Sequence, residues 1–193
     1  DGKLTLSDLE KIELVRILRF DGSVDSIRWV PKGSLNGLFG ISTIKDRAKQ
    51  TLLKLALEPE WEARFDSNSY GFRPGYSIAD AKWMVTRQIQ GSPKYFLRTG
   101  IKNCFKDISH EYLLKKLNTT RTFKNQIKSW LKAGILNSDF LTSTEYAENN
   151  IEHNEILSFL LVNIVLDGME KLLKDKFNKN VCLIRYGHDF VVL

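Results

Sequence analysis

Residues Val181 to Leu193 constrain the fold more than any other stretch. Val181, Leu183 and Arg185 alternate with Cys182, Ile184 and Tyr186; Gly187-His188-Asp189 then interrupts, and the apolar run Phe190-Val191-Val192-Leu193 follows. Period-two alternation, a break holding glycine and a second apolar run predict two antiparallel strands joined by a tight turn, with glycine where the backbone must bend most. Tyr95-Phe96-Leu97 reads as a further strand. Such a sheet must bury one face, and helical patterns at 78–90 and 156–177 supply the cover, so the expected fold class is α+β with an antiparallel sheet backed by helices.

The remaining segments punctuate themselves. Between Leu4 and Phe20, apolar Leu9, Ile12, Val15 and Ile17 lie among Lys11, Arg16 and Arg19, as in a short amphipathic helix. Asp21-Gly22-Ser23 is a turn, and Ser26 to Val30 is a strand stopped by Pro31, with a hairpin expected around Asn36-Gly37. Thr43 with Asp46 caps a helix whose buried stripe is expected at Ala48, Leu52, Leu55 and Ala56. Pro59 should restart a second helical piece through Trp61 and Phe65. Ser77 with Asp80 caps the next helix, carrying Ile78, Ala81, Val85 and Ile89 up to Gly91-Ser92-Pro93. Ser109-His110 opens a helix with Leu113, Leu114 and Leu117, and Phe123, Ile127, Trp130 and Leu131 mark another closed by Gly134. From Gly134 to Ile156 the chain is polar and aperiodic, as in a loop; one long helix should then run from Ile156 through Leu157, Leu160, Leu161, Ile164 and Leu172.

Charge and composition narrow the partners. Twenty-nine Lys and Arg against 23 Asp and Glu give a net charge of +6, which favours phosphate-bearing partners. A 193-residue chain with 42% hydrophobic residues can bury a core. No run reaches the roughly 18 apolar residues of a membrane span, and Asp1-Gly2-Lys3 shows no signal-peptide pattern, so a soluble protein with no membrane partner is expected. Cys104 and Cys182 stand apart in apolar surroundings, which argues against a zinc site and fits a reducing compartment.

Several strings together resemble the group II intron maturase and reverse transcriptase family. Arg185-Tyr186-Gly187-His188-Asp189-Phe190 is similar to its Arg-Tyr-Ala-Asp-Asp-Phe box. Thr43-Ile44-Lys45-Asp46-Arg47, Leu57-Glu58-Pro59 and Ser69-Tyr70-Gly71-Phe72-Arg73-Pro74-Gly75 look like its consecutive finger motifs. Gly100-Ile101-Lys102-Asn103-Cys104-Phe105 resembles its Asp-Ile-Lys-x-Cys-Phe box, and Trp130-Leu131-Lys132-Ala133-Gly134 is again family-like. Ser158-Phe159-Leu160-Leu161-Val162-Asn163-Ile164 resembles its Ser-Pro-Leu-Leu-x-Asn-Ile. The resemblance implies the fingers and palm of a right-hand polymerase, divided as an N-terminal extension over 1–25, fingers over 26–93 and palm over 94–193. The family's thumb and maturase-specific region have no counterpart in it.

The departures from the family bear on chemistry. Templated nucleotide addition needs carboxylates that hold two divalent ions. Glycine stands at 100 and histidine at 188 where the family has aspartates, so Asp189 alone remains of three. Magnesium demands an octahedral oxygen shell, which glycine cannot supply and imidazole supplies poorly. Asp107, beyond the strand, and Asp167, read as a solvated residue of the long helix, are not expected to replace them. The Gly37 to Ser42 string lacks the cation expected to meet a triphosphate, Lys106 stands at a usually acidic position, and Phe105 is most simply a packing residue. Neither cofactor nor metal site is expected. Arg16, Arg19, Arg28, Lys32, Lys45, Arg47 and Arg73 are the candidate phosphate contacts.

Two function classes follow from the resemblance: an inactive maturase-like protein that binds structured intron RNA and assists splicing, or a pseudoenzyme serving as a structural subunit of an organellar ribonucleoprotein such as a ribosome. The lysine and asparagine bias, with the family's usual home, points to a chloroplast or mitochondrion. An uncovered apolar edge at Val191-Val192-Leu193 is expected to require a protein partner or a separate thumb chain.

Overall fold

The Gly187-His188 pair turns the chain within two residues, with Gly187 at a φ of 62°, between β4 (Leu183–Tyr186) and β5 (Asp189–Val192). The two strands pair antiparallel from Leu183 opposite Val192 to Tyr186 opposite Asp189. In this computed structural model, which describes residues 5–26, 28–31, 38–90, 95–102, 104, 107–134, 156–177 and 181–193 (for 28–31 and 38–41 the backbone only), a third strand completes the sheet. Strand β3 (Leu97–Gly100) lies antiparallel on the other side of β5, from Leu97 opposite Val192 to Gly100 opposite Asp189. The order is therefore β3-β5-β4. Strand β5 is central, so the open edge expected at Val191-Val192-Leu193 is not there; β3 covers it. Strand β3 begins at Leu97, two residues later than the expected start at Tyr95, and Tyr95 is 99% exposed.

Before the sheet come α1 (Asp8–Ile17), the hairpin of β1 (Arg28–Pro31) with β2 (Leu38–Ile41), α2 (Ile44–Glu62) and α3 (Ile78–Ile89). Helices α4 (His110–Lys116), α5 (Arg121–Lys132), α6 (Ser158–Leu166) and α7 (Met169–Phe177) lie between β3 and β4. The β1-β2 pairing is antiparallel as expected. Its connection with Asn36-Gly37, the Gly91-Ser92-Pro93 break and residues 135–155 of the expected loop lie outside the described residues.

One core joins the two halves. Leu53, Leu57, Trp61 and Phe65 from α2 and its exit pack with Leu113 of α4 and Leu117 just after it, Ile127, Trp130 and Leu131 of α5, and Leu157 just before α6 with Leu160 and Ile164 of that helix. Each such side chain withdraws enough apolar surface to stabilise the fold by about 1.5–3 kcal/mol. The face of α2 that enters this core is not the expected one. Leu52 and Leu55 are 46% and 62% exposed, while Asp46, Lys49, Gln50, Leu53, Leu57 and Trp61 are buried. Polar residues at the start of the buried face hid it from a hydrophobicity pattern. Two of them are satisfied by distant partners: Trp130 Nε1 donates to Asp46 Oδ1 at 3.0 Å, and Lys49 Nζ donates to Asp21 Oδ1 at 3.1 Å and to the Ser23 hydroxyl at 3.1 Å.

Three further corrections concern helices. Helix α2 runs through Pro59 without a restart, because a proline one turn from the helix end costs a single hydrogen bond. Helix α1 is capped by Ser7 and Glu10, bonded reciprocally, a cap the sequence reading did not single out; it buries no residue, so its apolar stripe is exposed. The long helix is two, broken at Asp167-Gly168, where Gly168 takes a φ of 83°. Asp66 Oδ2 accepts from the Gly168 amide at 3.0 Å and restarts the chain as α7.

Candidate functional site

The hairpin tip is held from behind by the Ser69 to Arg73 segment. Arg185 N donates to Asn68 O at 2.9 Å, and Tyr70 N donates to Arg185 O at 2.8 Å. Gly71 lies so close that a Cβ there would overlap the Gly187 nitrogen. Phe72 takes a φ of 59°, costly for an aromatic residue, and its ring stacks on Phe159 at 3.9 Å and tilts against Tyr186 at 5.8 Å. A Cβ on Gly187 would lie 2.6 Å from that ring. Glycine is thus demanded at 71 and 187 by close approach, not by turn chemistry alone.

A buried polar chain fixes the tip further. Asn163 of α6 donates to Gly71 O at 2.8 Å and accepts from Arg185 Nη1 at 2.7 Å; the same Nη1 donates to Gly187 O at 2.9 Å. Arg185 is 2% exposed, and burial pulls its pKa down to about 10 against the opposing field of Asp66 and Asp167. Among the described residues its Nη2 and His188 Nδ1 are buried without a hydrogen-bond partner. Asn163 and Arg185 carried no assigned role in the sequence reading; their signal was membership of two family strings that the fold brings face to face.

Gly100, His188 and Asp189 do converge. Gly100 pairs with Asp189 across the ladder, Ile101 N donates to His188 O at 3.0 Å, and a Cβ at 100 would lie 2.5 Å from Asp189 Oδ1. Asp189 is exposed and is the carboxylate at this tip. Among the described residues no group of three His, Cys, Asp or Glu side chains is arranged to hold an ion. One carboxylate beside a glycine and an imidazole does not fit the paired magnesium ions that nucleotidyl transfer uses. Asp107 is exposed beyond β3. Asp167 is not the freely solvated helix residue expected: it is half-buried at the end of α6, and burial, then the nearby Asp66 charge, pushes its carboxyl pKa up. Phe105 and Lys106 lie outside the described residues.

The candidate phosphate contacts divide. Arg16 and Arg19 are exposed, and Arg47 is half-buried. Lys45 is half-buried and pairs with Asp25 at 3.4 Å. Lys32 and the side chain of Arg28 lie outside the described residues. Arg73 is a correction: it is 8% exposed, ion-paired to Glu62 at 2.9 Å, bonded to Ser69 O at 2.6 Å, and laid over the Phe65 and Tyr76 rings. Its guanidinium is used within the fold, tying Glu62 at the end of α2 to the Asp66 and Ser69 carbonyls.

With the tip and its surroundings in view, comparison with known proteins is decisive. The model of the family described as reverse transcriptase (RNA-dependent DNA polymerase) matches residues 30–193. The chain belongs to the group II intron maturase and reverse transcriptase family. Maturase-like protein 1 of Euglena gracilis is 34% identical across 97% of this chain and 40% of its own length. The group II intron-encoded protein LtrA of Lactococcus lactis subsp. cremoris is 32% identical across 72% of the chain and 24% of its own. The putative COX1/OXI3 intron 1 protein of Saccharomyces cerevisiae is 26% identical across 77% of the chain and 18% of its own. This chain thus spans at most two fifths of these relatives. The family is a polymerase fingers and palm, consistent with the mixed helices and small antiparallel sheet described above. No described helix is long and apolar enough to cross a membrane.

Proposed function

We propose that this chain is the fingers and palm part of a maturase-like protein that binds folded intron RNA, assists its splicing and does not synthesise DNA, in a chloroplast or mitochondrion. The observation that carries the loss of synthesis is the pairing of Gly100 with Asp189 beside His188: the geometry of the tip is intact while its donor set is reduced to one carboxylate. Relatives named as maturase-like and intron-encoded proteins support the splicing role. The net charge of +6 and the exposed Arg16 and Arg19 support an electrostatic component of RNA binding. The lysine-over-arginine bias supports the organellar assignment.

Primer extension on a primed RNA template with magnesium or manganese tests the first half. No templated incorporation is expected, and neither Gly100→Asp nor His188→Asp alone restores it, since each leaves a ligand missing. Incorporation by the unmodified chain that disappears in Asp189→Ala would refute inactivity. Selective recovery of unspliced intron RNA with the tagged protein tests the second half; recovery of spliced and unspliced RNA in proportion to their abundance counts against it.

A further inference from the structure

Helix α5 carries Arg121, Lys124, Lys128 and Lys132 in the string RTFKNQIKSWLK, with no carboxylate among its residues. Spacings of three, four and four place the cations on one face, over about 16 Å of helix at 1.5 Å per residue. They lie opposite the buried face of Gln126, Ile127, Trp130 and Leu131. One flank of the helix is already covered. Phe20 packs edge-on against Phe123 at 5.1 Å, Gly22 N donates to Gln126 Oε1 at 3.0 Å, and Gln126 Nε2 donates to Ser23 O at 3.0 Å. The cationic flank is left to solvent: Arg121, Lys128 and Lys132 are exposed and Lys124 is half-buried. None of the four is in an ion pair among the described residues.

This arrangement is unfavourable in the isolated chain. Like charges four residues apart, as at Lys124, Lys128 and Lys132, destabilise a helix by about 0.2–0.5 kcal/mol per pair, and Arg121 opposes the positive N-terminal end of the helix dipole, though Lys132 suits its C-terminal end. Helices α1, α2 and α7 each offset a cation internally. Lys11 pairs with Asp8 on α1, Lys54 with Glu58 on α2 and Lys174 with Glu170 on α7. Helix α5 does not, and its four positive charges compare with a net +6 for the whole chain. A polyanion lying along the stripe would remove the repulsion and release counterions from its phosphates.

We infer that the solvent face of α5 is a binding surface for the sugar-phosphate backbone of structured RNA, with Arg121, Lys124, Lys128 and Lys132 as its contacts. The inference rests on the RNA-binding reading above and adds a surface that the cations of the N-terminal segment and fingers do not include. Its recognition is of charge and spacing, so it positions RNA without reading base sequence.

The test uses the whole chain and a fluorescein-labelled RNA hairpin, with binding measured by anisotropy across a salt series. In the variant Arg121→Ala/Lys124→Ala/Lys128→Ala/Lys132→Ala, alanine preserves helix propensity. It is expected to bind about tenfold or more weakly near physiological salt, with the slope of log affinity against log salt reduced by about 3. A charge-matched control, Lys82→Ala/Lys115→Ala/Lys171→Ala/Lys176→Ala, removes exposed cations scattered over α3, α4 and α7 and is expected to change the slope much less. Acetylation of the unmodified chain with and without the hairpin gives a readout that does not depend on a variant folding: Lys124, Lys128 and Lys132 should be protected by RNA. An α5 variant that binds like the control, or equal acetylation of those lysines with and without RNA, overturns the inference. If binding persists but is lost in Arg16→Ala/Arg19→Ala/Lys45→Ala/Arg47→Ala, the α5 surface fails while the RNA-binding reading stands. An unmodified chain that shows no salt-dependent affinity for the hairpin refutes both.

Discussion

Lys49 is a fully buried ammonium, and its partner Asp21 is more than half exposed. Hydrogen bonds from the Ser23 hydroxyl and backbone, then from Lys49, hold the Asp21 carboxyl well below its ordinary 3.8. Folding therefore favours the ionised form, so the stability Asp21 contributes is fully present above pH 3.8 and is lost as pH falls below it. Asp21→Asn leaves Lys49 with Ser23 alone and should cost about 1–2 kcal/mol at pH 7, discounted for solvent screening of the exposed partner. Urea denaturation should show the gap between variant and unmodified chain narrowing as pH falls from 7 to 3; a gap of equal size at both would mean that the loss does not come from the Asp21 charge, and no gap at pH 7 would mean that the pair contributes nothing. Arg73 invites the opposite expectation from that of a surface cation. Arg73→Ala strands Glu62 and the Ser69 carbonyl and should destabilise the fold by about 3–5 kcal/mol. The salt slope of RNA binding, measured where the variant remains folded, should not change. A lower slope with unaltered stability would return Arg73 to the phosphate contacts.

Element boundaries were legible where a side chain closes on its own backbone. Ser7, Thr43, Ser77, Ser109 and Thr120 each begin a helix, and three of these beginnings, at Thr43, Ser77 and Ser109, were readable from the capping residue. The two-residue turn of the hairpin was readable from Gly187 within the alternation. The buried face of α2 was not, because Asp46 and Lys49 enter the core on the strength of partners 84 and 28 residues away in sequence. Nor was the break between α6 and α7, since the apolar spacing runs straight across it and the residue that decides it, Asp66, lies 102 positions from the amide it caps. The missing carboxylates at the tip could be read directly, whereas the Asn163-Arg185 chain behind it needed α6 and β4 to be placed side by side. The α6 to α7 break yields its own prediction. Gly168→Ala places a side chain on a φ of 83° and should cost about 1 kcal/mol, and Asp66→Ala, which removes the cap, about another 1 kcal/mol. Thermal unfolding of the single and double variants checks both. A Gly168→Ala chain as stable as the original would show that the break is indifferent to backbone strain.

Across the whole molecule the sheet has two unlike edges. The Cys182 and Leu193 backbones exchange both hydrogen bonds, so by alternation Asp189 and Val191 bond toward β4 while Phe190 and Val192 bond toward β3. On β4 the outward groups of Arg185 are taken by Asn68 and Tyr70, which covers that edge at Arg185. On β3 the bond from Ile101 N to His188 O sets the alternation so that Leu97 and Thr99 face β5, and the amides of Arg98 and Gly100 point outward. Among the described residues no strand lies beyond them, and Tyr95, Phe96 and Leu97 are exposed on the same segment. Arg98, also exposed, is the charge that guards this edge against pairing with another chain, the usual protection for an open strand. Hydrogen exchange should accordingly be fast at Arg98 and Gly100, slower at Thr99, and slowest at Phe190 and Val191 in the central strand. Replacing the guard sharpens the test: Arg98→Val supplies a strand-favouring side chain beside three exposed apolar residues and removes the repulsion between copies. Sedimentation velocity should then show concentration-dependent association that the unmodified chain lacks, with the Arg98 and Gly100 amides becoming protected as it proceeds. An Arg98→Val chain that sediments like the original over the same concentrations would show that the edge is guarded by something other than this charge.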